Sequence, residues 1–134
     1  MSVRIWVVDD DPLQFEFLRG LILNLPFEVA EPVYADGAHS ALVHLGAVDP
    51  ASWPDLILSD VNMPVMDGWS FVQSLRSHPK YDRIKVVMST SEEADHPETG
   101  VRALIAKHRA DGYLAKPATL SALTAIIDEV FARG

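Results

Sequence analysis

Residues 3–12 read Val3-Arg4-Ile5-Trp6-Val7-Val8-Asp9-Asp10-Asp11-Pro12, and the abrupt change from apolar to acidic inside this stretch sets the reading of the whole chain. A short apolar run without polar alternation is the signature of a strand buried on both faces, as in a parallel sheet. The residues after the aspartates open a helix. Asp11 is placed to cap it, Pro12 suits its first position, and Gln14 stands where a capping box would put it. Leu13, Phe17, Leu18, Leu21, Ile22 and Leu25 continue at helical spacing until Pro26.

The strand-helix unit then recurs. Residues 27–35 are extended but carry Pro32, which cannot donate to a ladder and so predicts a strand at the sheet edge. Asp36-Gly37 turns into a short helix with Ala38, Ala41, Leu42 and Leu45. Asp55 to Ser59 is a third strand running into Asp60, and beyond the turn residues Met63-Pro64 and Asp67-Gly68 a helix carries Phe71, Val72 and Leu75. Ile84 to Met88 is the fourth strand, ending at Ser89-Thr90-Ser91. A polar loop from Glu92 to about Thr99 leads into a helix with Val101, Leu104, Ile105 and His108, which Asp111-Gly112 is expected to stop. Tyr113-Leu114-Ala115 is a brief fifth strand, and Leu120, Leu123, Ile126, Ile127 and Val130 mark the last helix. Apolar strands in strict alternation with helices predict an α/β fold: a doubly wound parallel sheet of five strands flanked by five helices, in one domain over residues 1–134.

Composition narrows the function classes. A chain of 134 residues, 49% hydrophobic and 22% charged, supports one core of a soluble protein. Its net charge of -8 argues against a nucleic-acid surface, which needs clustered Lys and Arg. With no cysteine, disulfides, thiolate metal sites and cysteine nucleophiles are excluded. Met1 leads straight into the first strand, and no apolar run approaches the ~20 residues of a membrane span; a cytoplasmic protein is the expectation. The five histidines have no ligand spacing and read as surface or structural. Trp6 is expected to pack in the first strand. Trp53 and Trp69 fall near loops on opposite sides of the third, with Trp69 exposed beside the acidic pocket as a contact for a partner.

The polar residues that require explanation all stand at strand C-termini: Asp9 and Asp10 after the first, Asp60 after the third, Thr90 after the fourth, Lys116 after the fifth. In an open parallel sheet that edge hosts the ligand site, so residues far apart in sequence converge there. Three carboxylates gathered in one place repel and raise one another's pKa unless a cation intervenes. Mg²⁺, a hard ion taking oxygen ligands, suits them. Asp60 as nucleophile would form an acyl phosphate and needs no general base, while the Thr90 hydroxyl and the Lys116 ammonium suit phosphoryl oxygens.

The segments V-V-D-D-D-P, L-S-D-V-N-M-P-V-M-D-G, M-S-T-S and Y-L-A-K-P resemble, in order, the motifs of bacterial two-component receiver domains, over essentially the whole chain. The resemblance implies that Asp60 accepts the phosphoryl group. It implies that Asp9 and Asp10 hold Mg²⁺, Asp10 directly and Asp9 through water, with the backbone carbonyl of Asn62 as a further ligand. Thr90 and Lys116 match the phosphoryl-binding hydroxyl and lysine, and Tyr113 the aromatic switch that biases the face of helix four, strand five and helix five. A sheet order of 2-1-3-4-5 and a cis Lys116-Pro117 bond are implied by the same likeness. Asn62 and Glu92 fall at the two positions that tune phosphoryl lifetime, and their identities imply fast self-dephosphorylation. A sensor histidine kinase or histidine phosphotransfer protein is the implied donor, and a protein target or a linked output domain the implied recipient; catalysis is confined to the chain's own phosphorylation and hydrolysis.

The sequence departs from the family in two respects. The stretch between Thr90 and Lys116 is longer than expected, with the surplus in Glu92 to Thr99, and the last helix (Thr119 to Phe131) lacks the arginine associated with the dimer of DNA-binding regulators. Three rival readings compete. A phosphatase of the haloacid-dehalogenase kind would need a second aspartate at position 62, where Asn62 stands. A flavodoxin-like nucleotide binder would need phosphate-donating backbone after the first strand, where three aspartates repel phosphate. A phosphorylation-independent module of the same fold remains the alternative.

Overall fold

The computed structural model describes residues 2–91 and 100–132. Strands β1 (Ile5–Val8), β2 (Val33–Ala35), β3 (Leu56–Asp60), β4 (Lys85–Thr90) and β5 (Gly112–Ala115) form one parallel sheet in the order β2-β1-β3-β4-β5. Helices α1 (Pro12–Leu23), α2 (Ala38–Ala47), α3 (Gly68–Arg76), α4 (Val101–His108) and α5 (Leu120–Ala132) cover it. The expected doubly wound α/β architecture holds, with β2 at the edge. Of the extended stretch 27–35 only Val33–Ala35 joins the sheet, beyond an isolated Val3–Val29 bridge; Pro32, immediately before β2, has no N–H to give the ladder.

Alternation along the strands divides the core into two layers. Trp6, Ile57, Val86 and Met88 point to one face and pack with Ala41, Leu45, Phe71, Leu75 and Val101 from α2, α3 and α4. Ile5, Val7, Leu56, Leu58, Val87 and Leu114 point to the other and pack with Leu18, Ile22, Leu123 and Ile127 from α1 and α5. Burial on both faces is why these strands read as unbroken apolar runs.

Several local expectations are corrected. Asp11 caps α1, but its carboxylate accepts from the N–H of Leu13 at 2.9 Å, one position short of the capping-box arrangement drawn through Gln14. Helix α4 does not run to Asp111-Gly112; Arg109 ends it in the left-handed conformation, φ 62°. Asp111 is thereby released for another task. Its Oδ2 accepts from the Val86 N–H at 2.8 Å and from Arg76 Nη2 at 3.0 Å. Arg76, buried at the end of α3, also donates to the carbonyls of Tyr81, Ile84 and Arg109 at 3.1, 2.9 and 3.1 Å. This guanidinium staples α3, the start of β4 and the α4–β5 connection together. Trp69 is likewise not an exposed contact: it lies in the first turn of α3, is only 8% exposed, and stacks on His108 at 5.6 Å between ring centroids. The apolar N-terminal part of α3 faces the core, which draws the indole inward.

Candidate functional site

The C-terminal edge of the sheet gathers the acidic residues because β1 and β3 are neighbours in register, Val8 beside Ser59, so that the chain leaves both strands at the same level. Asp9, Asp10 and Asp60 each present a carboxylate oxygen, and these oxygens lie within 4.8 Å of one another. Asp9 and Asp60 are buried and Asp10 is exposed, so the cluster opens to solvent on one side. Asp9 Oδ1 accepts from the Asp11 N–H at 2.9 Å, whereas its buried Oδ2 has no hydrogen-bond partner. Burial pushes the Asp9 carboxyl up from 3.8 to about 6; the Asp11 N–H pulls it down, the Asp60 charge raises it again, Lys116 lowers it and Asp10 adds a small rise.

Lys116 supplies the counter-charge, its Nζ donating to Asp60 Oδ1 at 2.7 Å. The backbone of the lysine is tied to β4, its N–H donating to the Thr90 carbonyl at 2.9 Å; its peptide bond to Pro117 is cis, as the resemblance implied. Thr90 ends β4 and is 2% exposed. Gly68 seats the loop after Asp60: its N–H donates to the Val61 carbonyl at 2.8 Å, and a Cβ at this position would collide with the Asp60 carbonyl oxygen and with Met88 Cε. In the same loop Val65, fully exposed, adopts φ 72°, a conformation that β-branched residues avoid. Asp67 caps α3 by accepting from the Ser70 N–H at 2.8 Å.

Asp9, Asp10, Asp60, Thr90 and Lys116 therefore share one sheet edge. Asn62 stands two residues past Asp60 with its side chain exposed. Tyr113 lies apart from the cluster, half-buried on β5, its ring 6.0 Å from the Arg102 guanidinium carbon. It lines a cleft of about 500 Å³ between α4 and α5, with Ile105, Ala122 and Ile126. Glu92 and the loop to Thr99 fall outside the described residues.

The donor set fits a hard divalent cation. Three carboxylates converge, one buried oxygen among them lacks any protein partner, and all the offered ligands are oxygens. One residue of this edge was not singled out from the sequence: Ser89, 1% exposed, beside Asp60 in the β3–β4 register, its Oγ also without a partner. A hydroxyl at a position where an apolar strand is fully buried was the available signal.

Comparison with known proteins identifies the family to which this fold belongs. The sequence model of the response regulator receiver domain matches residues 5–128. The transcriptional regulatory protein PrrA of Mycobacterium tuberculosis is 38% identical over 133 residues, covering 98% of this chain and 51% of the relative. A probable chemotaxis protein CheY of Rhizobium etli is 37% identical over 79 residues, 57% of this chain and 56% of that protein. The chain thus spans about half the length of the curated relatives it matches. Among solved structures, the chemotaxis response regulator CheY4 of Vibrio cholerae superimposes with a TM-score of 0.78 at 27% identity, over 97% of this chain and 99% of the other. In sequence motifs, sheet order and the placing of the acidic cluster, the chain belongs to the receiver domain family of two-component response regulators.

Proposed function

We propose that Asp60 accepts a phosphoryl group from a phosphohistidine on a sensor kinase or histidine phosphotransfer protein, and that the modified domain then signals to a target protein or a linked output domain. The observation that carries this reading is the buried Asp60 carboxylate held by Lys116 at 2.7 Å beside the partnerless oxygen of Asp9. An Asp60 oxygen attacks phosphorus, the bond from phosphorus to the donor nitrogen breaks, and its electron pair returns to the imidazole. Lys116 and the Thr90 hydroxyl take up phosphoryl oxygens, placing donors where charge accumulates. Asp9, Asp10, Asp60 and the Asn62 carbonyl would hold Mg²⁺, Asp9 through water. When bound, the cation supplies charge neutralisation for the carboxylates and the incoming phosphate.

Movement of the Thr90 hydroxyl toward the phosphoryl group is read out by Tyr113, whose ring borders the α4–β5–α5 cleft, as a shift between two populations of that face. Asn62 and Glu92 orient attacking water, giving a short-lived phosphoryl group. On this proposal residues 1–134 are one cytoplasmic receiver domain that turns over no substrate beyond its own phosphate. Its test is Mg²⁺-dependent labelling by acetyl phosphate: stoichiometric label in the parent and none in Asp60→Asn is expected. Label that persists in that variant, or a parent that never labels, overturns it.

A further inference from the structure

Two buried side-chain polar atoms among the described residues lack a hydrogen-bond partner, Asp9 Oδ2 and Ser89 Oγ. The first belongs to the acidic cluster, but the second does not. In the register of β3 and β4, Leu58 is beside Val87 and Asp60 is beside Ser89. Leu58 and Val87 both point into the core under α1 and α5. Two residues further on, Asp60 and Ser89 project to that same face, on strands about 5 Å apart. Lys116 leaves the end of β5 and reaches Asp60 across β4, the strand that carries Ser89. The buried serine hydroxyl therefore lies on the face that Lys116 crosses to reach Asp60, bonded to neither in the resting fold. Val86, Val87 and Met88 before it are buried and apolar. An alanine here would leave no donor unpaired, so the hydroxyl is a burden on the resting fold.

We propose that, once Asp60 carries a phosphoryl group, the unpartnered Ser89 hydroxyl turns to donate a hydrogen bond to the carboxyl oxygen that does not carry phosphorus, making Ser89 a further catalytic group of the receiver. In hydrolysis of the acyl phosphate, water oxygen bonds to phosphorus as the bond between phosphorus and the Asp60 oxygen breaks. The electron pair stays on that oxygen, so dianionic acyl phosphate and water become carboxylate and dihydrogen phosphate, which takes both protons. Negative charge returns to the carboxyl as that bond opens. A donor on its second oxygen is bound more tightly in the transition state than before it, and the decay accelerates. In phosphorylation charge leaves the same carboxylate, and the same hydrogen bond opposes the step. Ser89 thus shortens the phosphoryl lifetime without helping uptake.

This rests on the reading of Asp60 as phosphoacceptor, and the test separates the two. The parent, Ser89→Ala and Ser89→Cys (similar volume, weaker donor) are labelled with acetyl phosphate and Mg²⁺, and uptake and decay are followed separately. Label in both variants is expected to decay about three- to tenfold more slowly, with uptake equal or faster and thermal stability equal or higher. The acyl carbonyl stretch, isolated by carboxyl-¹³C aspartate labelling, is expected to move to higher wavenumber in Ser89→Ala as the hydrogen bond is lost. Unchanged decay in both variants, or uptake and decay slowed together, overturns the assignment while leaving Asp60 in its role. A parent that takes no label overturns both.

Discussion

Replacing Asp9 by Asn is expected to stabilise the metal-free protein, a result opposite to that for most buried polar positions. The structure supplies the sign and the size. The Asp9 carboxyl titrates near 3.8 in the unfolded chain and at about 6 in the folded one, chiefly because burial penalises the charge. Between those values the folded state holds more protons than the unfolded state, so the contribution of this group to stability falls as pH rises through the window. Above about 6 the loss is complete. At full weight the displacement corresponds to roughly 3 kcal/mol. The exposed carboxylate of Asp10 and the partly exposed Lys116 admit solvent at the mouth of the pocket, which halves it to ~1.5 kcal/mol.

Asn keeps the acceptor at Oδ1 that binds the Asp11 N–H. At pH 7.5 with chelator, Asp9→Asn should therefore melt about 5 °C above the parent, and the difference should shrink to near zero at pH 4. Added Mg²⁺ should raise the parent and move the variant less, because a ligand stabilises only a state that binds it. A variant equal to or below the parent at pH 7.5, or a difference that does not change with pH, would refute the electrostatic account of this cluster.

Gly68→Ala forces a Cβ against the Asp60 carbonyl oxygen and Met88, and urea denaturation should show a loss of about 2 kcal/mol together with slower acetyl-phosphate labelling; a stability within about 0.5 kcal/mol of the parent would mean the loop yields freely. Val65→Asn relieves a β-branched residue at φ 72° that is fully exposed, and should gain about 1 kcal/mol in the same assay, with a loss counting against backbone strain there. Arg76→Met removes the buried guanidinium that bonds three backbone carbonyls and the Asp111 carboxylate and should cost about 3–5 kcal/mol. Its combination with Asp111→Asn should cost less than the sum of the two, and strict additivity would deny that the staple acts as a unit.

How far each of these features can be foreseen depends on how it is encoded. The strands are legible because a sheet covered on both faces demands consecutive apolar residues, and Ile5 to Val8, Leu56 to Leu58 and Val86 to Met88 meet that demand locally. The site is legible for a related reason: polar residues placed just after such strands have no structural use at that density, and topology sends every strand end to one edge. Arg76 and Asp111 were not foreseen, because their partners are backbone carbonyls and an N–H brought together only by the folded sheet. An arginine at the end of a helix looks from sequence like a solvated cation near the negative end of the dipole. Trp69 failed differently. Its place near the phosphoacceptor loop suggested exposure, whereas its position in the first turn of α3 turned it onto His108.

The two edges of the sheet thus obey opposite rules. At the edge holding the Arg76 staple, the buried guanidinium has its donors spread over three carbonyls and a carboxylate, and the result is a fixed corner where α3, β4 and the start of β5 meet. At the other edge the polar residues are gathered with bonds left unmade: an oxygen of Asp9 and the hydroxyl of Ser89 have no partner in the folded chain. Burying unpaired polar atoms destabilises a fold, so a protein under selection for stability alone would lose them to Asn, Ala or Val. Their presence either side of Asp60, after β1 and on β4, is a cost to the resting fold that the proposed cation and phosphoryl group would offset by supplying the missing partners.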